Sequence, residues 1–438
     1  MFLLAGALAL GLAACGGDDG DDRGGQEFAH IEALPSSSCG DVEYGGDGEP
    51  TALIASDHPL QGDSAERSAQ QNDAIRQVLE DQGWRAGNTR VAFQACDDSI
   101  ESTGEWDEAK CQDNAKAYAA NPDVLGVIGT YNSGCAAEII PILNEAPGGG
   151  VAMISPGNTA ICLTEMSNQC EDGQPESLYP SGERNYARVV PNDAVQGAGL
   201  ATFAQEQGVS KPFVLYAGDD PTSKGQGETF RGAAESLGLE IAGFESWDPE
   251  VANYKPLMEK VKASGADAVI LAGLLEQHGP ELIKAKVDAL GPNDTDVKLL
   301  APDGFAQQAT IDDTGPASSG MFVSVPGRTP DSLTGPGQAF VQQLKETVGG
   351  APVELYAPYA GQAAEVLLGA MTVSPKRADV IKAMLQYEAD DGIVGVFTIT
   401  PTGDPSNGPI SVSVARDTLV TEKEITPPAE LVDAARGG

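Results

Sequence analysis

The sequence is poor in basic residues and in histidine. Its 438 residues include 26 Lys and Arg against 65 Asp and Glu, a formal net charge of −39, and three histidines, His30, His58 and His278. So acidic a surface repels phosphate backbones and anionic headgroups, and we therefore expect no nucleic-acid partner. The histidines are scattered and no Cys-x-x-Cys pair occurs, so we also expect no metal site.

The common motifs of catalysis and cofactor binding are missing as well. The chain has no GxxxxGK[ST] phosphate loop, no strand–GxGxxG–helix unit, no GxSxG nucleophile elbow and no HExxH motif. Adjacent acidic residues are frequent, but among 65 acids they are typical of solvated turns. We expect neither an enzyme nor a cofactor.

Long hydrophobic runs are absent too. The longest one near the N-terminus, Phe2–Ala14, is shorter than the ~20 residues that a membrane-spanning helix needs. The chain as a whole has the composition of a globular protein, with 41% apolar residues and enough length for two or three domains.

This N-terminal run ends in Leu12-Ala13-Ala14-Cys15, small residues ahead of a cysteine. The pattern resembles the lipobox of bacterial lipoproteins, in which Cys15 carries the lipid; an ordinary secretory signal with an incidental cysteine is the alternative. A Gly- and Asp-rich stretch follows and predicts a flexible acidic tether over residues 16–50. We therefore expect 1–15 to be a signal peptide and the protein to be exported and held at the outer face of the bacterial membrane by a lipid anchor alone.

Six further cysteines indicate disulfides. They are Cys39, Cys96, Cys111, Cys135, Cys162 and Cys170. An even number in an exported chain predicts three bridges. Cys162 and Cys170 lie close together in a polar segment and are expected to pair, whereas the connectivity of the other four stays open at this stage.

From Thr51 onwards, short apolar runs alternate with longer amphipathic stretches. The runs predict strands at 51–56, 90–95, 124–130, 151–155, 212–217, 240–245, 268–272, 298–301 and 320–325, with a break in the rhythm at 188–192. Helices are expected between them, near 65–79, 106–120, 135–145, 222–237, from 256, and 276–290. This alternation predicts parallel sheets with helices on both faces.

The C-terminal part is too small for a third domain. It predicts helices near 338–348, 356–371 and 376–385 and strands at 394–398 and 410–414. We expect it to complete both earlier units, which gives an α/β protein with two doubly wound parallel-sheet lobes joined by a multi-strand hinge. The expected lobes are 51–190 with 327–394 and 191–326 with 395–425, followed by a C-terminal tail at 426–438.

Two strand ends in the first lobe carry polar residues. In open α/β sheets, ligands bind beyond the carboxyl ends of the strands. The segment IGTYNSG passes into a helix, where Ser133 and free N–H groups suit a carboxylate, unless Ser133 merely caps that helix. The segment MISPGNT places Gly157, Asn158 and Thr159 at the end of the next strand.

A third strand end, APDGF, belongs to the second lobe. It carries Asp303, whose carboxylate can pair with an ammonium group across a cleft. Capping of a following helix is the alternative.

Together IGTYNSG, MISPGNT and APDGF, in this order on two α/β units, resemble the leucine/isoleucine/valine-binding proteins, type I periplasmic solute-binding proteins of ABC importers. The resemblance covers roughly Thr51 to Val414. It implies a monomeric Venus-flytrap protein that closes on a small amino acid or a related polar metabolite, with an ABC permease and ATPase as partners. A ligand-sensing lipoprotein of the same fold is the alternative function.

The resemblance also implies a set of ligand-binding residues. Ser133 and the Gly157–Thr159 turn correspond to the family's clamp for the ligand carboxylate and ammonium, and Asp303 to its second-lobe acid. The full expected set is His58, Tyr131, Asn132, Ser133, Gly157, Asn158, Thr159, Lys224, Leu274, Leu275 and Asp303.

The sequence departs from the family at four of these residues, which lie in three segments. His58 stands in a turn where relatives have small residues, Lys224 where they have a cleft tyrosine, and Leu274-Leu275 where they have aromatics. The pocket for the ligand side chain is therefore expected to differ from that of the relatives, and Lys224 is either a ligand contact or a solvated lysine.

The resemblance implies a disulfide between Cys96 and Cys135, because relatives join a cysteine after the second strand to one beside the third-strand turn. Cys39 and Cys111 are then expected to form the remaining bridge.

Overall fold

The computed structural model describes residues 28–102, 104–218, 220–406 and 408–437. The expected signal peptide and the lipidation residue Cys15 lie outside these ranges. In the described part of the chain, none of the helices combines the length and the apolar character that crossing a bilayer requires.

The first lobe is built on a six-stranded sheet. Its strands are β1 (Ala52–His58), β2 (Arg85–Ala86), β3 (Thr89–Asp97), β4 (Val124–Gly129), β5 (Ala152–Ser155) and β6 (Tyr186–Arg188). The order is β2-β3-β1-β4-β5-β6, and only the β2–β3 pair is antiparallel. Helices α1 (Ala65–Asp81), α2 (Glu108–Ala120) and α3 (Ser133–Asn144) connect the strands.

The second lobe repeats the pattern. Its helices are α4 (Asp193–Glu206), α5 (Pro221–Ser236), α6 (Lys255–Ser264), α7 (Gly279–Leu290) and α8 (Gln308–Thr314). Its parallel strands are β7 (Pro212–Ala217), β8 (Gly243–Trp247), β9 (Ala268–Ala272), β10 (Lys298–Ala301) and β11 (Phe322–Pro326). The sheet separates two hydrophobic cores, as expected when helices cover both faces.

The C-terminal part returns to both lobes, as predicted. Helices α9 (Pro336–Thr347), α10 (Ala357–Val373) and α11 (Arg377–Met384) and the hairpin of β12 (Glu388–Gly392) and β13 (Gly395–Thr398) join the first lobe. Strand β14 (Ile410–Ala415) extends the second sheet antiparallel to β11, and β15 (Leu419–Ile425) pairs antiparallel to β14. Helix α12 (Ala429–Ala435) follows.

Two expected boundaries differ from the structure. Phe397 and Ile399 are buried in the first lobe's core, so the chain returns to the second lobe nearer Ile410 than residue 395. The expected C-terminal tail contains α12, whose Leu431 and Ala435 are buried against α4 and α5. Their spacing of four residues places both on one helix face, which explains the packing.

The expected tether is also shorter than predicted. Ile31, Leu34 and Val42 are buried in the same core as the outer face of the first sheet. Cys39 forms a β-bridge with Cys96 and is disulfide-bonded to it. In the sequence these apolar residues are separated by polar ones, so the segment was predicted to be a tether. In the structure they fasten the segment before Thr51 to the first lobe.

The predicted Cys162–Cys170 disulfide is confirmed, but the Cys96–Cys135 and Cys39–Cys111 pairings are wrong. The observed bridges are Cys39–Cys96, with Cα atoms 4.0 Å apart, and Cys111–Cys135, with Cα atoms 5.7 Å apart. The N-terminal segment runs along the end of β3, and α2 packs beside α3. Each cysteine therefore pairs with a neighbour that the linear sequence does not reveal.

Helix α4 was absent from the sequence-based prediction. Its residues have little amphipathic pattern because most of them, including Ala198, Leu200 and Phe203, are buried. A methyl group on Gly199 would collide with the side chain of Ile410. The helix is thus packed on several sides, where the alternation that marks a surface helix does not apply.

Arg377 joins the returning helix α11 to the first lobe. The residue is 6% exposed, and its guanidinium donates to five main-chain carbonyls, those of Tyr118, Ala119, Asn121, Val124 and Pro147. We predict that Arg377→Met lowers the free energy of unfolding by ~3 kcal/mol or more, because it leaves buried carbonyls without donors. Urea denaturation measures the change. The exposed neighbour Lys376 supplies the control, Lys376→Met, and equal stability of the two variants would contradict the role.

Candidate ligand-binding cleft

The carboxyl ends of the strands of the two lobes face each other across a cleft of about 410 Å³. Of the predicted residues, these line it: Tyr131, Asn132, Ser133, Gly157 and Thr159 from the first lobe, and Leu274 and Asp303 from the second. The turns after β4, β5, β9 and β10 therefore meet at one place, as the rule for open α/β sheets predicts.

Ser133 is the first residue of α3, and its hydroxyl does not cap that helix. Its Oγ accepts a hydrogen bond from the N–H of Ala160 at 3.3 Å, which ties the two first-lobe turns together. The hydroxyl proton remains available to a ligand, next to the positive end of the helix dipole. The alternative reading of Ser133 as a helix cap is therefore wrong.

Asn158 lies beneath the cleft rather than in its wall. It is fully buried, and its Nδ2 donates to the carbonyls of Thr130 and Tyr131, each at 2.9 Å. Its Oδ1 accepts from the hydroxyl of Tyr186 at 3.0 Å. Asn158 thus holds the two turns in place and presents no group to a ligand.

Two other predicted residues belong to the protein interior. His58 is fully buried with Nδ1 3.3 Å from Oδ1 of Asn72, and burial lowers its pKa to about 4, so it is neutral. Its neighbour Pro59 lines the cleft instead. Leu275 is 2% exposed in the second lobe's core, and only Leu274 reaches the cleft.

Lys224 lies on the exposed side of α5, outside the cleft. Gln226 lines the cleft in its place. Two residues that are two positions apart on a helix are separated by about 200° around its axis. Lys224 and Gln226 therefore lie on opposite faces of α5, and only one of them can face the cleft. Lys224 is accordingly a solvated lysine.

Arg67 on α1 is a cleft residue that the sequence analysis missed. Its guanidinium carbon lies 3.8 Å from the centre of the Tyr131 ring, and Nη2 donates to Oγ of Ser64 at 2.7 Å. Nη2 also lies 3.7 Å from Oε1 of Glu276 in the other lobe. The sequence signal that could have indicated Arg67 was its position shortly after the turn that follows the first strand, but no motif marks this residue.

Three further acidic residues line the cleft, and the sequence analysis did not select them. They are Glu105, Asp220 and Glu276. Burial raises the pKa of Glu105, and the charges of Glu276 and Asp220 across the cleft raise it further. Among the described lining residues Arg67 is the one cation, so the cleft favours ligands with positive charge.

Asp303 starts a short 3₁₀ turn and forms no cap with its side chain. Its Oδ2 accepts from the hydroxyl of Tyr356 at 2.7 Å, and Tyr356 precedes α10 of the first lobe. Burial raises the pKa of Asp303. The turn needs glycine at position 304, because a side chain there would collide with the carbonyl of Gly273.

The sequence model of the periplasmic binding protein family matches residues 54–416. The chain belongs to this family. Its members bind solutes and are not enzymes, in agreement with the sequence-based expectation.

Solved structures of the same fold agree. Leucine-binding protein LivK of Thermotoga maritima has a TM-score of 0.72 at 20% identity, over 86% of this chain and 99% of that one. LivJ of Streptococcus pneumoniae, in complex with isoleucine, has a TM-score of 0.69 at 15% identity, over 85% and 100%. A solute-binding protein from R. palustris, in complex with 4-hydroxybenzoate, has a TM-score of 0.71 at 17% identity, over 86% and 98%.

A curated relative supports the same grouping. Leu/Ile/Val-binding protein homolog 3 of Brucella melitensis is 22% identical over 290 residues, which are 64% of this chain and 70% of the relative. At these identities the similarities establish the two-lobed type I fold and confirm the predicted architecture. They do not identify the ligand.

The position of Asn158 gives a test that separates structural from ligand-binding residues. We predict that Asn158→Ala lowers the free energy of unfolding by about 3 kcal/mol, because three buried hydrogen bonds are lost. The control is Asn132→Ala, whose side chain lines the cleft and does not cap α3; this variant should keep wild-type stability. Denaturation of both variants measures the difference, and a stable Asn158→Ala protein would refute the assignment.

Proposed function

We propose that this protein is an extracytoplasmic solute-binding lipoprotein of an ABC importer and that it binds a small amino acid or a related polar amine between its lobes. One observation carries the proposal. The uncapped start of α3, with Ser133, lies in the same cleft as the buried carboxylate of Asp303 from the other lobe. The first suits an anionic group and the second a cationic one, as an amino acid requires.

Binding is proposed to begin on the first lobe. There the ligand carboxylate accepts hydrogen bonds from Ser133 and from the N–H groups at the start of α3, with Gly157 leaving room for close approach. Closure of the second lobe then brings Asp303 onto the ammonium group. Because these contacts exist together only in the closed form, the ligand stabilises that form.

Contacts between the lobes support this view of closure. Arg67 reaches Gln307 at 3.4 Å and Glu276 at 3.7 Å, and Tyr356 reaches Asp303. The closed form is proposed to be the one that a permease and its ATPase recognise, and the lipid on Cys15 to keep the protein near them.

The ligand side chain is proposed to be polar. The relatives above are described with leucine, isoleucine and 4-hydroxybenzoate. In this cleft the wall from the second lobe has Leu274 as an apolar contact but also Asp220, Gln277 and Glu276. Such a wall is better suited to hydrogen-bonding groups than to a branched alkyl chain.

A thermal-shift screen of the soluble chain from Gln26 tests the ligand class. We expect an α-amino acid to raise the melting temperature, since a ligand at a hundredfold its Kd stabilises the protein by ~2.7 kcal/mol. Asp303→Ala should abolish most of this shift, whereas Asp313→Ala, at an exposed position on α8, should not. Circular dichroism checks that both variants fold. Unchanged binding by Asp303→Ala would contradict the assignment.

The anchor has a separate test. The full chain is produced in a bacterial host and subjected to Triton phase partitioning. We predict that the wild-type protein enters the detergent phase, because each CH₂ group of an acyl chain that is buried in a micelle or membrane contributes ~0.8 kcal/mol to the free energy of binding. Cys15→Ala should move the protein to the aqueous phase. A variant that stays in the detergent phase would rule out lipidation at this residue.

A further inference from the structure

Two buried carboxylates lie together at the floor of the cleft. Asp303 is 8% exposed and lines the cleft, and Asp193, the first residue of α4, is 3% exposed just behind it. The side-chain amide of Gln226 bridges them, since its Nε2 lies 3.4 Å from Oδ1 of each. The hydroxyl of Thr159, another lining residue, hydrogen-bonds to Asp193.

The pair has no cation of its own. Within the ranges that the structure describes, neither carboxylate forms an ion pair. The two arginines whose charges act on these carboxylates have other partners. Arg188 is bound to Asp404 at 2.8 Å, and Arg67 lies against the Tyr131 ring and Glu276.

The groups in contact with the pair are neutral. They are the amides of Gln226 and Gln196 and the hydroxyls of Thr159 and Tyr356. Gln196 is 2% exposed, and its Oε1 accepts no hydrogen bond. A buried acceptor without a donor is costly, and none of these four neighbours brings a positive charge to the pair.

Two buried carboxylates that are both charged carry a large free-energy cost unless a cation lies beside them. Burial, and then the charge of Asp303, raise the pKa of Asp193 to about 7, and burial raises the pKa of Asp303. The pKa of Asp193 is lowered in part by the charge of Arg188 and by hydrogen bonds from Thr159 and Gln226. The pKa of Asp303 is lowered in part by the charge of Arg67. We therefore expect the pair to hold a proton at about pH 7 and below.

We propose that Asp193 and Asp303 together form a site for a primary ammonium group, with Asp193 as the positioning residue, and that a bound ammonium displaces the proton held by the empty pair. One carboxylic O–H bond breaks, its proton goes to solvent, and the ammonium takes its place. The inference rests on the proposed function and narrows the ligand to cationic amines, so carboxylates without an amino group are excluded.

Stability of the empty protein tests the pair without any ligand. The folded-state pKa of Asp193, about 7, exceeds the ordinary value of 3.8. Folding therefore takes up a proton, and the cost of burying Asp193 grows as the pH rises through this interval. Asp193→Asn should raise the melting temperature by several degrees at about pH 8 and by clearly less at about pH 5. The exposed control Asp313→Asn should show no such difference, and equal shifts of Asp193→Asn at the two pH values would overturn the proposal.

Calorimetry tests the exchange itself. The probes are the standard amino acids, each with the amine that lacks its carboxyl group and the acid that lacks its amino group. In two buffers of different ionisation enthalpy near pH 7, binding of an amino acid should release up to about one proton. Asp193→Asn should bind the same probe roughly tenfold more weakly or worse, without proton release. Binding without proton release, or an acid that binds as tightly as its amino acid, would overturn the proposal.

The two proposals fail in different ways. If no probe binds, the proposed ligand class is wrong, while the stability comparison still decides whether Asp193 holds a proton in the empty protein. If an amino acid binds but no proton is released, the cleft is a ligand site and the role of the pair is wrong.

Discussion

A single buried guanidinium holds together the parts of the chain on which the cleft depends. Arg188 ends β6, at the first passage between the lobes, and is completely buried. It donates to Asp404 at 2.8 Å and to the carbonyls of Asn158 and Ala160 at 3.0 and 2.9 Å. The turn after β5, which lines the cleft, is thereby fixed to the last passage of the chain between the lobes. A buried cation needs all of these partners, so the turn has little freedom of its own.

The cleft built on this framework is strongly acidic. The protein places four acids and one arginine around about 410 Å³, with a fifth acid, Asp193, behind the wall. The net charge of −39 alone is an argument about solubility and partners rather than about a ligand. Negative charge can select a ligand only inside the cleft. There burial removes water from the carboxylates of Asp193 and Asp303, and neutral donors surround them. The same two-lobed fold holds isoleucine in one relative and 4-hydroxybenzoate in another, which shows that the fold leaves the ligand to the residues of the cleft.

Much of the fold and part of the site were predictable from sequence. Strands such as β7, β9 and β10 are short apolar runs with clear ends, and their carboxyl ends locate the cleft. The turns with Ser133, Gly157 and Asp303 follow from that rule and from the family resemblance. Helix α4 and α12 were not predicted because their burial is set by neighbours distant in sequence.

The misassigned residues have a common cause. Asn158 and Thr159 are adjacent in one turn, yet one side chain points into the interior and the other into the cleft. Lys224 and Gln226 divide in the same way on α5. The sequence specifies which segments meet, but the direction of each side chain depends on backbone geometry that is fixed only when the segments pack.

By itself, the sequence determined the alternation of strands and helices, the absence of nucleotide motifs, the family and the three turns that form the cleft. These properties are local, because they depend on hydrophobic period and on residues that are neighbours in the chain. The tertiary structure alone decided the pairing of Cys39 with Cys96 and of Cys111 with Cys135, the entry of Arg67 into the cleft and the meeting of Asp193 with Asp303. Each of these joins residues from separate elements, and the energy of a disulfide or of a buried charge depends on distances that exist only in the folded chain.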